Sequence, residues 1–174
     1  MNYFDFFELP VSFQLDEAAL KRSFYANSRK YHPDFHTLAD EAQQAKILEL
    51  STLNNEAYKT LSDFDKRMQY VLQLKGALAE EGNNQIPQDF LMEMMDINEK
   101  LMELEFDFDP TVHQQLQSEL KNLEREQYQQ IEGLIASYDD QTSDPTVLNR
   151  IKDYYLKKRY LLRIQENLNK FAVR

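Results

Sequence analysis

The chain has 174 residues, 42% of them hydrophobic, which suffices for the core of one ordinary domain or two small ones. Thirty acidic side chains against 20 basic ones give a net charge of −10, and cysteine is absent. These numbers exclude disulfides and cysteine-ligated metals, and they disfavour a general nucleic-acid binder, which needs a basic surface. No apolar run is long enough for a membrane span, so we expect neither nucleic acid nor membrane among the partners.

Helical periodicity dominates the first half of the chain. Four segments are predicted there: a compact aromatic turn at 3–9, a helix from Asp16 to about Tyr31, a long helix from about 40 to 61, and a shorter one around 71–74. Pro33 disfavours the α conformation at His32, so the second segment must end just before it. The third segment begins after Asp40, a residue type that suits a helix N-terminus.

The second half of the chain is predicted to be a bundle. Residues 76–87 (GALAEEGNNQIP) contain two of the three glycines and a proline, which indicates a linker. Asp109-Pro110 and Asp144-Pro145 each suit a helix start, because Asp accepts free backbone N–H groups and Pro lacks one. We therefore predict an all-α protein, with a four-helix domain at 1–75, a linker at 76–87 and a three-helix bundle at 88–174.

The sharpest local motif is Tyr31-His32-Pro33-Asp34. Pro33 breaks the helix, so His32 and Asp34 are expected on an exposed turn. The preceding helix has a basic outer face, formed by Lys21, Arg22, Arg29 and Lys30. Taken alone, the motif is more typical of a plain turn beside a solvated face. A metal site that adds His36 is disfavoured, because no fourth ligand lies nearby in the sequence.

The order of four motifs changes that interpretation. FDFFELP, a basic helix ending in YHPD, NEAYKTL and DFDKRMQY follow one another over about 75 residues. This arrangement resembles a J-domain, the module with which J-proteins activate DnaK-class chaperone ATPases. The resemblance implies a chaperone-binding site made of His32, Pro33, Asp34, Lys21, Arg22, Arg29 and Lys30. Phe35 stands where many J-domains have a lysine, so contacts at the far edge of the loop are expected to differ.

The first helix of the predicted bundle has two apolar faces. At 100° per residue, one stripe contains Phe90, Met94, Ile97, Leu101 and Leu104. The opposite side contains Met92, Met95, Glu99, Met102, Glu103 and Phe106, flanked by Leu91 and Asp96. Residues 88–109 hold eight acids and one base. The outer side is either a recognition patch with an acidic rim or a surface that packs within the protein.

A J-domain followed by a linker and a bundle that begins with FLME is similar to the HscB family of iron–sulfur cluster assembly co-chaperones. The resemblance implies that the bundle binds an IscU-like scaffold protein and delivers it to HscA, a dedicated DnaK-class chaperone. The scaffold-binding residues it implies are Leu91, Met92, Met95, Asp96, Glu99, Glu103 and Tyr154. A J-domain co-chaperone with a different dedicated client is the alternative.

Enzyme signatures are missing from the sequence. There is no Gly-rich phosphate loop, no G-x-S-x-G elbow and no H-E-x-x-H helix. We expect a protein that is not itself an enzyme, has no cofactor or metal and stimulates the ATPase of its partner. The Gly/Phe-rich linker and CxxCxGxG repeats of general J-proteins are absent, and the chain starts almost directly at the J-domain-like segment. A bacterial cytoplasmic protein is therefore expected.

Overall fold

The computed structural model describes residues 1–80 and 82–171. Glu81, in the predicted linker, and residues 172–174, at the end of the predicted bundle, lie outside the described residues. The helices are α1 (Tyr3–Phe6), α2 (Glu17–Lys30), α3 (Glu41–Leu61), α4 (Phe64–Leu74), α5 (Gln88–Phe106), α6 (Pro110–Ser137) and α7 (Pro145–Phe171). A 3-10 turn, Pro33–Phe35, separates α2 from α3, and the described part of the chain contains no strand.

The chain divides into two compact units. The first comprises Met1–Lys75 and the short segment Tyr138–Ser143, and the second comprises Gly76–Ser137 and the described part of 144–174. The first unit contains α1 to α4, and the second contains α5 to α7. The predicted all-α class, with four helices in the first part and three in the second, is confirmed. Within the described residues, no helix combines the length and the apolar character needed to cross a membrane.

Aspartate caps set the helix starts. The side chains of Asp16, Asp40 and Asp63 accept hydrogen bonds from backbone N–H groups in the first turns of α2, α3 and α4. Asp109 does the same for Thr111 at the start of α6. At the start of α7 the Thr146 N–H donates to Asp144 at 2.9 Å, and this bond lowers the pKa of the Asp144 carboxyl. Both predicted Asp-Pro helix starts are confirmed.

Aromatic stacking and a buried amide join α2 to α3. The rings of Phe24 and Tyr58 stack with centroids 4.1 Å apart. Asn54 is buried, and its Nδ2 donates to the Phe24 carbonyl and to the Ser28 hydroxyl, both at 3.2 Å. Since these contacts lie on the inner side of α2, its basic residues are left on the outer side.

A buried arginine joins the start of the first unit to α3 and α4. Arg67 lies on α4 and donates from Nε to the Phe13 carbonyl at 2.9 Å and from a terminal nitrogen to the Leu61 carbonyl. Burial lowers the pKa of the Arg67 guanidinium. Its two carbonyl partners satisfy donors that would otherwise be buried without hydrogen bonds.

The segment Tyr138–Ser143 completes the first unit. The ring of Tyr138 packs edge-on against Phe13, with centroids 4.8 Å apart, and the Tyr138 hydroxyl donates to Asp140 at 3.1 Å. Lys75 forms an ion pair with the same carboxylate at 2.6 Å. Burial and the neighbouring carboxylate raise the pKa of the Tyr138 phenol to about 12.

The second unit is built on the inner stripe of α5. All five predicted core residues of this stripe, Phe90, Met94, Ile97, Leu101 and Leu104, are buried. They pack with residues of α6 and α7, including Leu116, Leu120, Leu161, Ile164 and Leu168. Asn98 donates to the Tyr160 hydroxyl at 2.7 Å. The inner stripe therefore fixes the rotation of α5 and determines which side chains face outward.

Candidate functional site

The first candidate site is the loop between α2 and α3, together with the outer face of α2. His32, Pro33 and Asp34 are all exposed, and so are the four cations of α2. Lys21 and Lys30 lie over the rings of Tyr25 and Tyr31, at 6.0 and 5.2 Å from the ring centroids. The structure thus brings the seven predicted chaperone-binding residues onto one helix and the turn that follows it.

The ring of His32 has a defined orientation. The backbone N–H of Asp34 donates to Nδ1 of His32 at 3.2 Å. The Asp34 carboxylate lies 3.6 Å from the same nitrogen, which is too long for a hydrogen bond. Because Nδ1 accepts, the neutral imidazole bears its proton on Nε2. The loop therefore offers a ring N–H donor beside an exposed carboxylate.

Two side chains that the sequence analysis did not select hold this loop in place. The His36 ring donates from Nε2 to the carbonyl of Lys30 at 2.8 Å, which satisfies a free carbonyl at the end of α2. Gln44, on α3, donates from Nε2 to the carbonyls of Thr37 and Ala39 at 3.3 and 3.0 Å. The loop backbone is thus tied to both flanking helices.

The second candidate site is the outer face of α5. Met92, Met95, Met102 and Phe106 are 64%, 65%, 60% and 90% exposed. Asp96, Glu99 and Glu103 are exposed on the same helix. This face is therefore not part of the packing of the three-helix bundle. An exposed methionine surface among carboxylates is adaptable and suits the binding of another protein.

The predicted scaffold-binding residues do not all share this exposure. Leu91 is half-buried at the edge of the outer face. Tyr154 lies on α7, is only 7% exposed, and has its ring 6.3 Å from that of Tyr128. The structure brings the six predicted residues of α5 together on one helix, whereas Tyr154 belongs to the packing of α6 against α7.

Other polar residues of the second unit have structural partners. Lys100, the one base of the acidic segment 88–109, forms an ion pair with Glu119 at 3.3 Å. His113 is buried, and its ring donates to the Leu168 carbonyl at 3.0 Å, as expected of a packed histidine. Among the residues that the structure describes, no group of three or more His, Asp or Glu side chains is placed to hold a metal ion.

Comparisons with known proteins agree with this arrangement. The DnaJ domain profile matches residues 2–70, and the profile of the HSCB C-terminal oligomerisation domain matches residues 86–169. A co-chaperone protein HscB homolog from Burkholderia multivorans is 33% identical over 147 residues, which is 84% of each chain. One from Vibrio cholerae is 39% identical over 103 residues, 58% of this chain and 60% of that one.

Solved structures show the same architecture. The crystal structure of human co-chaperone protein HscB has a TM-score of 0.75 and 26% identity, and it covers 99% of this chain and 83% of that one. Chaperone HscB from Vibrio cholerae has a TM-score of 0.69 and 24% identity, and covers 99% of this chain and 98% of its own, which supports the fold alone.

The J-domain in the first unit and the co-chaperones among its relatives define the class: the chain is a J-domain co-chaperone. The profile of the HSCB C-terminal domain and the relative that matches 84% of the chain identify one family among the J-domain co-chaperones. The chain belongs to the HscB family.

Proposed function

We propose that the protein stimulates the ATPase of a DnaK-class chaperone resembling HscA. The observation that carries this proposal is the exposed His-Pro-Asp loop, whose His32 ring is oriented by the Asp34 backbone and lies next to a basic helix face. An oriented donor, a carboxylate and four exposed cations suit an acidic partner surface. The bond-breaking chemistry stays in the partner, and this chain supplies binding energy that favours the hydrolysing state.

The bundle binds the iron–sulfur scaffold, an IscU-like protein. Support comes from the exposed methionines Met92 and Met95 and from the carboxylates Asp96, Glu99 and Glu103, which share the outer face of α5. Leu91 contributes at the edge of this face. Tyr154 belongs to the same proposed site, although only 7% of it is exposed in this structure.

The two sites lie in separate parts of one chain. We propose a J-domain at 1–75, a linker at 76–87 and a scaffold-binding bundle at 88–174, acting in the bacterial cytoplasm. A molecule that holds both partners raises the effective concentration of the scaffold at the chaperone. Cluster transfer and the maturation of iron–sulfur proteins are then assisted without any cofactor bound to this chain.

A different dedicated client is the alternative function. The J-domain would be unchanged, and only the partner of the α5 outer face would differ. Titration of the protein with the purified scaffold by calorimetry separates the two, because heat of binding is expected only if the scaffold is the client.

His32→Gln tests the chaperone half of the proposal. Glutamine keeps a polar side chain but lacks the ring that the Asp34 N–H orients, so stimulation of the chaperone ATPase should be abolished. Steady-state ATP turnover with purified chaperone measures this effect. Scaffold affinity serves as the control and should stay at the wild-type value. Unchanged stimulation by this variant would contradict the proposed function.

A further inference from the structure

A groove lies beside the His-Pro-Asp loop, and none of the four cations of α2 is among the residues that line it. It lies between the loop and the first turns of α3 and has a volume of about 490 Å³. Its lining consists of Pro33, Asp34, His36, Thr37, Glu41, Gln44, Ala45, Ile47 and Leu48. Two of these residues, Pro33 and Asp34, also belong to the proposed chaperone-binding loop, so the groove is continuous with that surface.

The groove exists before any partner binds. Gln44 and His36, which line it, tie the loop backbone to α3 and to the end of α2. Backbone bonds from Phe35 to His32 and from His36 to Pro33 close the turn. A partner therefore does not have to order this part of the loop, which lowers the entropic cost of docking.

The apolar side chains that α3 contributes to the groove include one that is unusually exposed. Leu48, a large aliphatic residue in the second turn of α3, is 60% exposed, and Ile47 and Ala45 lie beside it. Phe35 is 73% exposed on the adjoining loop, and its ring lies 5.9 Å from that of His32. An exposed cluster of this kind, next to a binding loop, suits an apolar side chain of the same partner.

The charge of the groove is opposite to that of the α2 face. Among the described residues that line the groove, Asp34 and Glu41 are carboxylates and none is Lys or Arg. Outside the groove, the exposed face of α2 presents four cations, Lys21, Arg22, Arg29 and Lys30. An acidic partner surface that fits α2 would be repelled by the groove, and a basic group that fits the groove would be repelled by α2.

From this complementarity we infer that the groove binds an extended segment of the chaperone in which an aliphatic side chain stands next to a Lys or Arg. The inference rests on the proposed function, because it assumes that the chaperone docks on the His-Pro-Asp loop. The aliphatic side chain packs on Leu48, and the cation lies between Asp34 and Glu41. Opposite charges on the groove and on the α2 face then allow the chaperone to dock in one orientation.

Leu48→Asp in the full-length protein tests the groove. The measurement is the concentration of this protein that gives half-maximal stimulation of the purified chaperone's ATPase. Loss of one buried aliphatic contact should raise it about tenfold, with the maximal rate retained. Asn55→Asp, which adds the same charge at an exposed site of α3 outside the groove, should leave it unchanged. Leu48→Gln should have a smaller effect in the same direction.

Glu41→Lys tests the charge of the groove. Reversal of the charge at Glu41 should raise the half-maximal concentration about fivefold, and its neutralisation in Glu41→Gln should raise that concentration less. Helix content reports that each variant is folded, and scaffold affinity should stay at the wild-type value because the scaffold site lies in the second unit. If Leu48→Asp and Asn55→Asp behave alike while His32→Gln abolishes stimulation, the groove proposal is overturned and the proposed function stands. The groove proposal is also overturned if Leu48→Asp leaves the half-maximal concentration unchanged and alters only the self-association of this chain, measured by sedimentation. That result would assign the groove to a second copy of the chain.

Discussion

The His-Pro-Asp loop and the outer face of α5 are both exposed, but they are built in different ways. The loop is positioned by directional hydrogen bonds, from the Asp34 backbone to His32 and from Gln44 to two loop carbonyls. The outer face of α5 has its position only because the opposite stripe of the same helix is buried. The His-Pro-Asp loop therefore depends on the geometry of a few polar atoms, whereas the outer face of α5 depends on the surface area that it offers to a partner.

The two sites also differ in charge. α2 has four bases and one acid, whereas α5 has six acids and one base. A partner selected by one surface would thus be repelled by the other, so under the proposed function the chaperone and the scaffold would not compete for the same site. The difference in construction predicts different sensitivity to mutation: a single change should disable the loop, and several changes are needed to disable the α5 face.

The largest effect expected on the α5 face comes from the triple variant Met92→Ala, Met95→Ala and Glu99→Ala. Because the binding energy is spread over area, the three changes together should weaken scaffold affinity about a hundredfold, while each change alone costs much less. Calorimetry with the purified scaffold measures this. Circular dichroism should show unchanged helix content, since all three side chains are exposed. Wild-type affinity in the triple variant would place the scaffold elsewhere.

A smaller effect is expected from salt. Exposed cations on α2 attract an acidic surface through interactions that are screened over about 8 Å at physiological ionic strength. Raising salt from about 50 to 300 mM should therefore weaken chaperone association about fivefold. The double variant Lys21→Gln and Arg29→Gln should flatten this dependence. A flat response in the wild-type protein would mean that the basic face is only solvated.

Features with a local cause were predictable from the sequence. The buried and exposed stripes of α5 follow from its periodicity, and Pro33 accounts for the end of α2. The exposure of His32 and Asp34 follows from the same break.

Features that depend on contacts distant in sequence were not predictable. No periodicity indicates that Gln44 binds loop carbonyls, that Lys75 pairs with Asp140, or that Arg67 reaches the Phe13 carbonyl. Tyr154 was selected as a scaffold-binding residue by resemblance, and no pattern in α7 alone indicates that its ring lies next to that of Tyr128 on α6. The groove beside the loop was not predicted for the same reason, since its walls come from two elements, the loop and α3.

The most direct test of the account is whether both surfaces must belong to one molecule. ATP turnover by the chaperone is measured in the presence of the scaffold, first with wild-type protein and then with an equimolar mixture of His32→Gln and the α5 triple variant. Scaffold and wild-type protein should stimulate ATP turnover synergistically, and the mixture should not, because neither variant holds both partners. Recovery of the wild-type rate by the mixture would contradict this prediction.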